Sequence, residues 1–433
     1  MRVLVVGGGG REHALCWRLS RDASVGALFA APGNAGIASE AECVPVASDD
    51  LDGLVALVER ERIDLTVVGP EIPLVAGLAD RLVARGHAVF GPSMAAARIE
   101  GSKAWAKSLM QRAGVPTARS ATFSRAEWER DRHDALAFLH GELGGGPAVV
   151  KADGLAAGKG VVVADSAAEA AQAVEACLGG GFGEAGSTVV IEERLSGPEV
   201  SAFALSDGRE VVPLAMAQDF KRIGDGDAGP NTGGMGAYSP VPFVDDRAAE
   251  RIRTRILEPT VRAMAEEGSP YRGVLYAGLM LTADGPKALE FNCRFGDPET
   301  QVLMPRLASA PAELLLACAR GDLAGSKVML HPDACVTVVL ASGGYPGPFD
   351  TGFAIDGLDE AGEVDGAIVF HSGTEQTRGR VVTAGGRVLS VSAVGDSLRE
   401  ARDRAYRACA RIAFEGKQHR TDVAAMAAGE DRS

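Results

Sequence analysis

The stretch ALEFNCRFGDPET, residues 288–300, sets a carboxylate, an amide and a guanidinium at alternate positions. In an extended strand Glu290, Asn292 and Arg294 share one face, with Leu289, Phe291 and Cys293 opposite. A carboxylate and an amide carbonyl two residues apart are hard oxygen ligands of the kind Mg²⁺ takes. Two protein ligands suffice when nucleotide phosphates and water supply the rest. Arg294 adds positive charge where a phosphoryl group would move. A solvated strand face is the competing explanation.

A second stretch, VVKADGLAAGKGVVVA (149–164), carries Lys151 and Lys159 around Gly154, Gly158 and Gly160, between two β-branched runs. A Walker loop leads into a helix and ends in Gly-Lys-Ser/Thr. Here Gly160 and a second strand follow Lys159. The chain is therefore expected to fold back as a hairpin. Its loop would be a lid whose N–H groups and Lys159 close over a polyphosphate, with Lys151 on the strand beneath. A glycine-rich turn with solvated lysines is the alternative.

The opening GGGGREHAL runs from Gly7 through Gly9, Gly10, Arg11 and Glu12. It does not fit G-x-G-x-x-G, because Glu12 occupies the last position. A glycine turn at a helix start still offers free N–H groups and a positive dipole end to an anion, with no preference for NAD. In VVIEERLSGPEVS, backbone groups around Glu192, Glu193 and Leu195 could read adenine, and Glu199 could accept from ribose hydroxyls. Surface glutamates beside a turn explain that stretch equally well. Lys103 opens a helix and could be a solvated charge. Ser102 has no partnered histidine nearby, so nucleophilic catalysis has no support. The histidines show no metal spacing.

These residues need elements to hold them. RVLVV, the glycine turn and a helix from Glu12 to Arg21 begin a strand–helix alternation. Its further strands are ALFAAP, CVPV, LTVVGP and HAVFGPS. That pattern predicts an open, mostly parallel sheet with helices on its faces. A helix from Ser102 to Ala113 and the linker GVPTA lead to a small α+β unit over 120–194. Two Asp-Gly hairpins follow, EVSAFALSDGREVVPLAM and GVLYAGLMLTADGPKALEFNCRF. Between them lie the irregular glycine-rich DFKRIGDGDAGPNTGGMGAYSPVP, expected to be functional, and one long helix from Asp245 to Glu267. From Ser326 the chain is strand-rich up to the amphipathic SLREARDRAYRACARIA. The tail DVAAMAAGEDRS carries no signal.

The 433 residues suggest two to four domains. A net charge of −14 argues against nucleic acid or an anionic membrane as partner. Seven scattered cysteines without a Cys-x-x-Cys pair read as reduced cytoplasmic thiols. No signal peptide and no run of 18 uncharged apolar residues appears.

Taken together, GGREHAL, APGNAG, FGPS, EGSK, KADGLAAGKGVVV, GPNTGGMGAYSP, LYAGLM, EFNCRFGDPETQ and ASGGYPG resemble the phosphoribosylamine–glycine ligase family of the ATP-grasp superfamily, from Arg2 to about Ala413. The resemblance implies an α/β chain of five parts: a preATP-grasp domain (1–100), a linker helix (101–119), a lid subdomain (120–194), a central subdomain (195–325) and a C-terminal domain (326–428). It implies ATP as co-substrate and Mg²⁺ or Mn²⁺ on Glu290 and Asn292. Lys103, Lys151, Gly158, Lys159, Gly160, Lys221 and Asn231 would serve the nucleotide phosphates. Glu192, Glu193 and Leu195 would lie at adenine, and Glu199 at ribose. Gly9, Gly10, Arg11, Glu12, Pro32, Gly33, Asn34, Gly69, Pro70 and Glu71 would face phosphoribosylamine. Arg294 and Asp297 would lie near glycine and act in catalysis with Lys151 and Lys159. The expected partners are these small molecules alone, and the expected state is a monomer or at most a weak dimer. Two departures stand out: Gly8 replaces the family's Asn or Ser, and Phe220 replaces a histidine, removing any hydrogen bond from that ring. A different ATP-grasp ligase, a dinucleotide-linked oxidoreductase and a non-catalytic nucleotide-binding protein are the alternatives.

Overall fold

The computed structural model describes residues 1–154, 160–181 and 186–429. Gly158 and Lys159, and with them the expected lid tip, lie outside the described residues. The N-terminal sheet is wholly parallel, with spatial order Glu42–Cys43, Ala27–Pro32, Arg2–Gly7, Leu65–Val68, Ala88–Phe90. The chain leaves Arg2–Gly7 to one side first and then returns to its other side. Ligands of such sheets bind outside the carboxyl ends of the strands at this reversal. Two sequence-distant loops meet there, Gly7–Gly10 and Gly69–Glu71. The backbone of Gly69 donates to the Val6 carbonyl at 3.0 Å.

A four-stranded antiparallel sheet follows, ordered Ser120–Ser124, Thr188–Glu193, Ala148–Ala152, Val161–Ala164. The expected hairpin is present: Lys151 pairs with Val161 across it. Helix Ala167–Ala176 starts where Ser166 accepts from the Glu169 N–H. It buries Ala170 and Val174 against Val150 and Ile191 in a core separate from the rest.

The largest sheet has eight antiparallel strands: Gly285–Asn292, Arg272–Thr282, Glu199–Asp207, Val211–Asp219, Gly236–Ser239, Ala334–Ala341, Arg387–Gly395, Ala367–His371. It runs unbroken across position 326, so the central and C-terminal portions share one sheet and one main core. The stretch expected to be irregular supplies the joining strand, Gly236–Ser239, and a two-stranded hairpin of Arg222–Gly224 with Ala228–Asn231. The expected long helix is three consecutive pieces: Asp246–Ile252, a π-helical turn at Arg253–Leu257, and Glu258–Glu266. Pro259 lacks the N–H an α-turn needs, and the wider turn before it absorbs the defect. The tail without signal is partly core, since Val423 and Ala424 are fully buried. Among the described residues no helix is long and apolar enough to cross a membrane.

Candidate functional site

A cleft of about 2450 Å³ opens between the reversal point of the N-terminal sheet, the four-stranded sheet and the large sheet. Strand Gly285–Asn292 brings Glu290, Asn292 and, just past its end, Arg294 to its floor. The expected alternation is broken by a bulge, and Phe291 borders the cleft as well. The register slips beside Leu279, leaving Leu289 as the extra residue of a bulge. Leu289 therefore lines the cleft, and its carbonyl accepts from Lys151 Nζ at 3.0 Å.

Glu290 is set among cations. Burial works against its charge, but Lys151, Lys221, Lys103 and Arg294 outweigh burial and hold its carboxyl below the usual range. Arg294 is clamped from the N-terminal side, 3.0 Å from Glu100 and 3.4 Å from Glu71. Glu100 also accepts from the Cys293 N–H at 2.7 Å, which fixes the strand end. Asp297 accepts from Gln301 Nε2 at 2.7 Å and pairs with Arg387 at 3.3 Å.

Lys103 opens helix Lys103–Arg112, which Ser102 caps at the Trp105 N–H. Its ammonium donates to the Gly154 carbonyl at 2.8 Å, and Asp153 accepts from Ser102 Oγ and the Ala104 N–H. Burial lowers the Lys103 pKa, opposed by Glu290 and Asp153. One turn on, Lys107 is buried too. Its Nζ lies 3.1 Å from Glu192, whose other oxygen lies 3.0 Å from Lys151. Glu192 is thus held between two ammonium groups and only 2% exposed. It borders the cleft, and its Oε1, though close to the Lys151 ammonium, has no hydrogen-bond partner. The Glu193 carboxylate pairs with Arg119 at 2.9 Å, and Glu193 and Leu195 both border the cleft. Glu199 pairs with Lys221 at 3.2 Å, and Lys221 also donates to Asp219. Gly160, Lys221 and Asn231 border the cleft as well.

The N-terminal group divides. Arg11, Pro70 and Glu71 line the cleft. Gly9, Gly10, Glu12, Pro32, Gly33, Asn34 and Gly69 form the loops behind it. Glu12 accepts from the Gly9 N–H at 2.7 Å and from Arg11 Nε at 2.5 Å. A Cβ on Gly69 would lie 2.1 Å from Glu12 Oε1, so only glycine lets the two loops meet. The Asn34 amide is spent within the protein: it donates to the Gly8 and His371 carbonyls and accepts from the Gly36 and Ile37 N–H groups. A Cβ on Gly8 would lie 2.4 Å from the Gly33 carbonyl, so a side chain at that departure would require the two loops to shift. The Phe220 departure is also accommodated, because its ring stacks under the Arg420 guanidinium at 4.8 Å.

Sequence reasoning missed Glu100, Lys107, Arg387 and Arg420. Lys107 left one trace, a second lysine four residues after Lys103 on the same helix face.

Family models match nearly end to end: the phosphoribosylglycinamide synthetase N domain at 1–100, its ATP-grasp (A) domain at 101–300 and its C domain at 335–426. The chain belongs to the phosphoribosylglycinamide synthetase family. It is an ATP-grasp ligase. It is 55% identical over 434 residues to a phosphoribosylamine–glycine ligase of Streptomyces coelicolor, covering 99% of this chain and 100% of that one. It is 50% identical over 427 residues to one of Vibrio vulnificus, covering 98% and 97%. The crystal structure of the Thermotoga maritima phosphoribosylamine–glycine ligase superposes with a TM-score of 0.82 at 34% identity, covering 98% of this chain and all of that one. A biotin carboxylase of Campylobacter jejuni shares the fold, with a TM-score of 0.70 at 16% identity over 96% of this chain and 93% of that one.

Proposed function

We propose that this chain joins glycine to 5-phosphoribosylamine through glycyl phosphate, giving glycinamide ribonucleotide, ADP and phosphate in purine biosynthesis. The observation that carries the reading is one cleft whose wall combines Lys103, Lys151, Glu290, Asn292 and Arg294 with Arg11, Pro70 and Glu71 of the N-terminal sheet. The segments 1–100, 101–119, 120–194, 195–325 and 326–428 would be the preATP-grasp domain, linker helix, lid subdomain, central subdomain and C-terminal domain. The enzyme would work in the cytoplasm, in keeping with seven unpaired cysteines, as a monomer or at most a weak dimer.

Glu290 and Asn292 would hold Mg²⁺ or Mn²⁺. The fit is chemical: a carboxyl kept ionised by its neighbours beside an amide oxygen. Among the described residues no cluster of three His, Cys, Asp or Glu side chains forms a fuller cage. Phosphates and water would complete the shell. When bound, the ion neutralises charge on the phosphates and orients them.

Both reactants of the first step are anions. Two like unit charges 4 Å apart repel by about 4 kcal/mol at an effective dielectric near 20. Lys103, Lys151, Lys159 and Arg294 offset that repulsion and stabilise the charge that builds on the moving phosphoryl group. Glycine's carboxylate attacks the γ-phosphorus, the bond to the β-phosphate oxygen breaks, and ADP departs. The phosphoribosylamine nitrogen then attacks the glycyl carbonyl carbon. Phosphate leaves with the bonding electrons, and the nitrogen loses a proton.

Adenine would sit against Glu192, Glu193 and Leu195, with Glu199 at the ribose and Lys221, Asn231, Gly158 and Gly160 around the phosphates. Arg11, Pro70 and Glu71 would meet phosphoribosylamine directly. Gly9, Gly10, Glu12, Pro32, Gly33, Asn34 and Gly69 shape the loops that present them. Arg294 and Asp297 would orient glycine.

The test is ADP release with glycine and phosphoribosylamine each present and omitted. The reading requires both. Release supported equally by another acid or another amine would reject it.

A further inference from the structure

The hairpin Arg222–Asn231 has two cleft residues at its base, Lys221 and Asn231, and its exposed tip, Asp225 to Asp227, borders the same cleft. A two-stranded hairpin is marginally stable on its own. Something outside must set its position, and the chain end does so. Arg420 is 1% exposed, among the most completely buried large side chains. Its Nη1 donates to Asp227 at 2.7 Å and to the Arg222 carbonyl at 3.2 Å. Its Nε and Nη2 both bind the Asp422 carboxylate at 2.7 Å. Its flat face lies on Phe220. The neighbouring residues repeat the grip. The Thr421 N–H donates to Asp225 at 2.8 Å, and the Gly226 N–H donates to Asp422 at 2.9 Å. Helix Leu398–Cys409 anchors the segment, because Tyr406 donates to the Arg420 carbonyl at 2.9 Å.

We infer that Arg420 is a positioning residue for ATP: it fixes the hairpin and through it Lys221 and Asn231. A guanidinium suits this task because it satisfies two carboxylates and a carbonyl in one plane while stacking on a ring. A lysine could replace the charge but neither the fork nor the stack. The inference rests on the reading that Lys221 and Asn231 serve the nucleotide.

The experiment measures ATP binding by calorimetry, with KM for ATP and for glycine, on the full chain. Arg420→Ala is expected to raise the ATP Kd and KM roughly threefold to thirtyfold, the range of couplings carried through packed networks. The glycine KM should hold. Arg420→Lys should recover little, and millimolar guanidinium added to Arg420→Ala should restore ATP affinity. Asp227→Asn covers the case in which Arg420→Ala does not fold. The Asp227 side chain is 69% exposed, so the change takes the charge from one grip, leaves an acceptor oxygen and empties no buried site. It should weaken ATP in the same direction. Folded variants with unchanged ATP affinity would overturn the inference. So would a fall in kcat with no change in ATP KM and no rescue. If the wild-type protein binds no ATP, the functional reading falls as well. If it binds and the variants match it, only this inference falls.

Discussion

Replacing Lys107 with methionine should make the protein more stable and worse at handling ATP. The buried trio carries two positive charges, on Lys107 and Lys151, against one negative charge on Glu192. Burial, only partly offset by Glu192, pushes the Lys107 ammonium from the ordinary 10.5 down to about 8. That gap costs folding about 3 kcal/mol at pH 7. Methionine has similar length and removes the cost. It gives up the bond to Thr117 Oγ1, about 1 kcal/mol, and leaves Glu192 paired one-to-one with Lys151. The expected net gain is about 2 kcal/mol at pH 7. The sign with pH follows from a folded-state value that is lowered. Between about 8 and 10.5 the unfolded chain binds more protons, so wild-type stability rises with pH across that window while the variant gains nothing. The advantage should fall to about zero by pH 9.5. Urea unfolding at pH 7 and 9.5 reads both numbers. ATP KM should rise in the same variant, because Glu192 no longer shares its charge and draws Lys151 away from phosphate. A loss of stability that is equal at the two pH values would refute the argument, since it would mean the ammonium is a net asset to the fold.

Three further outcomes are expected. Glu290→Ala should abolish most ATP-dependent turnover while leaving the thermal transition in place; wild-type ADP release at ordinary Mg²⁺ would reject the metal assignment. Burial holds His13 at about 3 and His371 at about 4, both below 6.5. Stability should therefore fall as pH drops from about 6.5 toward 4, as the unfolded chain takes up protons first. A His13→Asn variant should show a shallower acid slope in denaturant titrations. Glycine labelled with heavy oxygen in its carboxylate should pass one label to inorganic phosphate; label in AMP would mean attack at the α-phosphorus instead.

Much of this protein was legible along the chain. RVLVV followed by glycines announced a buried strand and a turn, because a parallel strand needs a continuous apolar run and Gly7 turns at φ +122°, where a Cβ would lie 2.6 Å from Glu12. Glu290, Asn292 and Arg294 could be put on one face because strand periodicity is local. The hairpin around Lys151 was readable for the same reason. Leu289 escaped that logic, since a bulge is set by the partner strand and not by the residue itself. What decides the electrostatics of the cleft escaped it more completely. Glu100 reaches Cys293 across 193 positions, Arg387 reaches Gly233 across 154, and Arg420 reaches Arg222 across 198. Each of these side chains lies in a stretch that reads as ordinary helix, strand or tail. Local pattern reports which way a residue faces relative to its own element. It says nothing of which distant element is packed there. A buried charge acquires its partner, and with it its ionisation and its role, only when the layers close around it and exclude water.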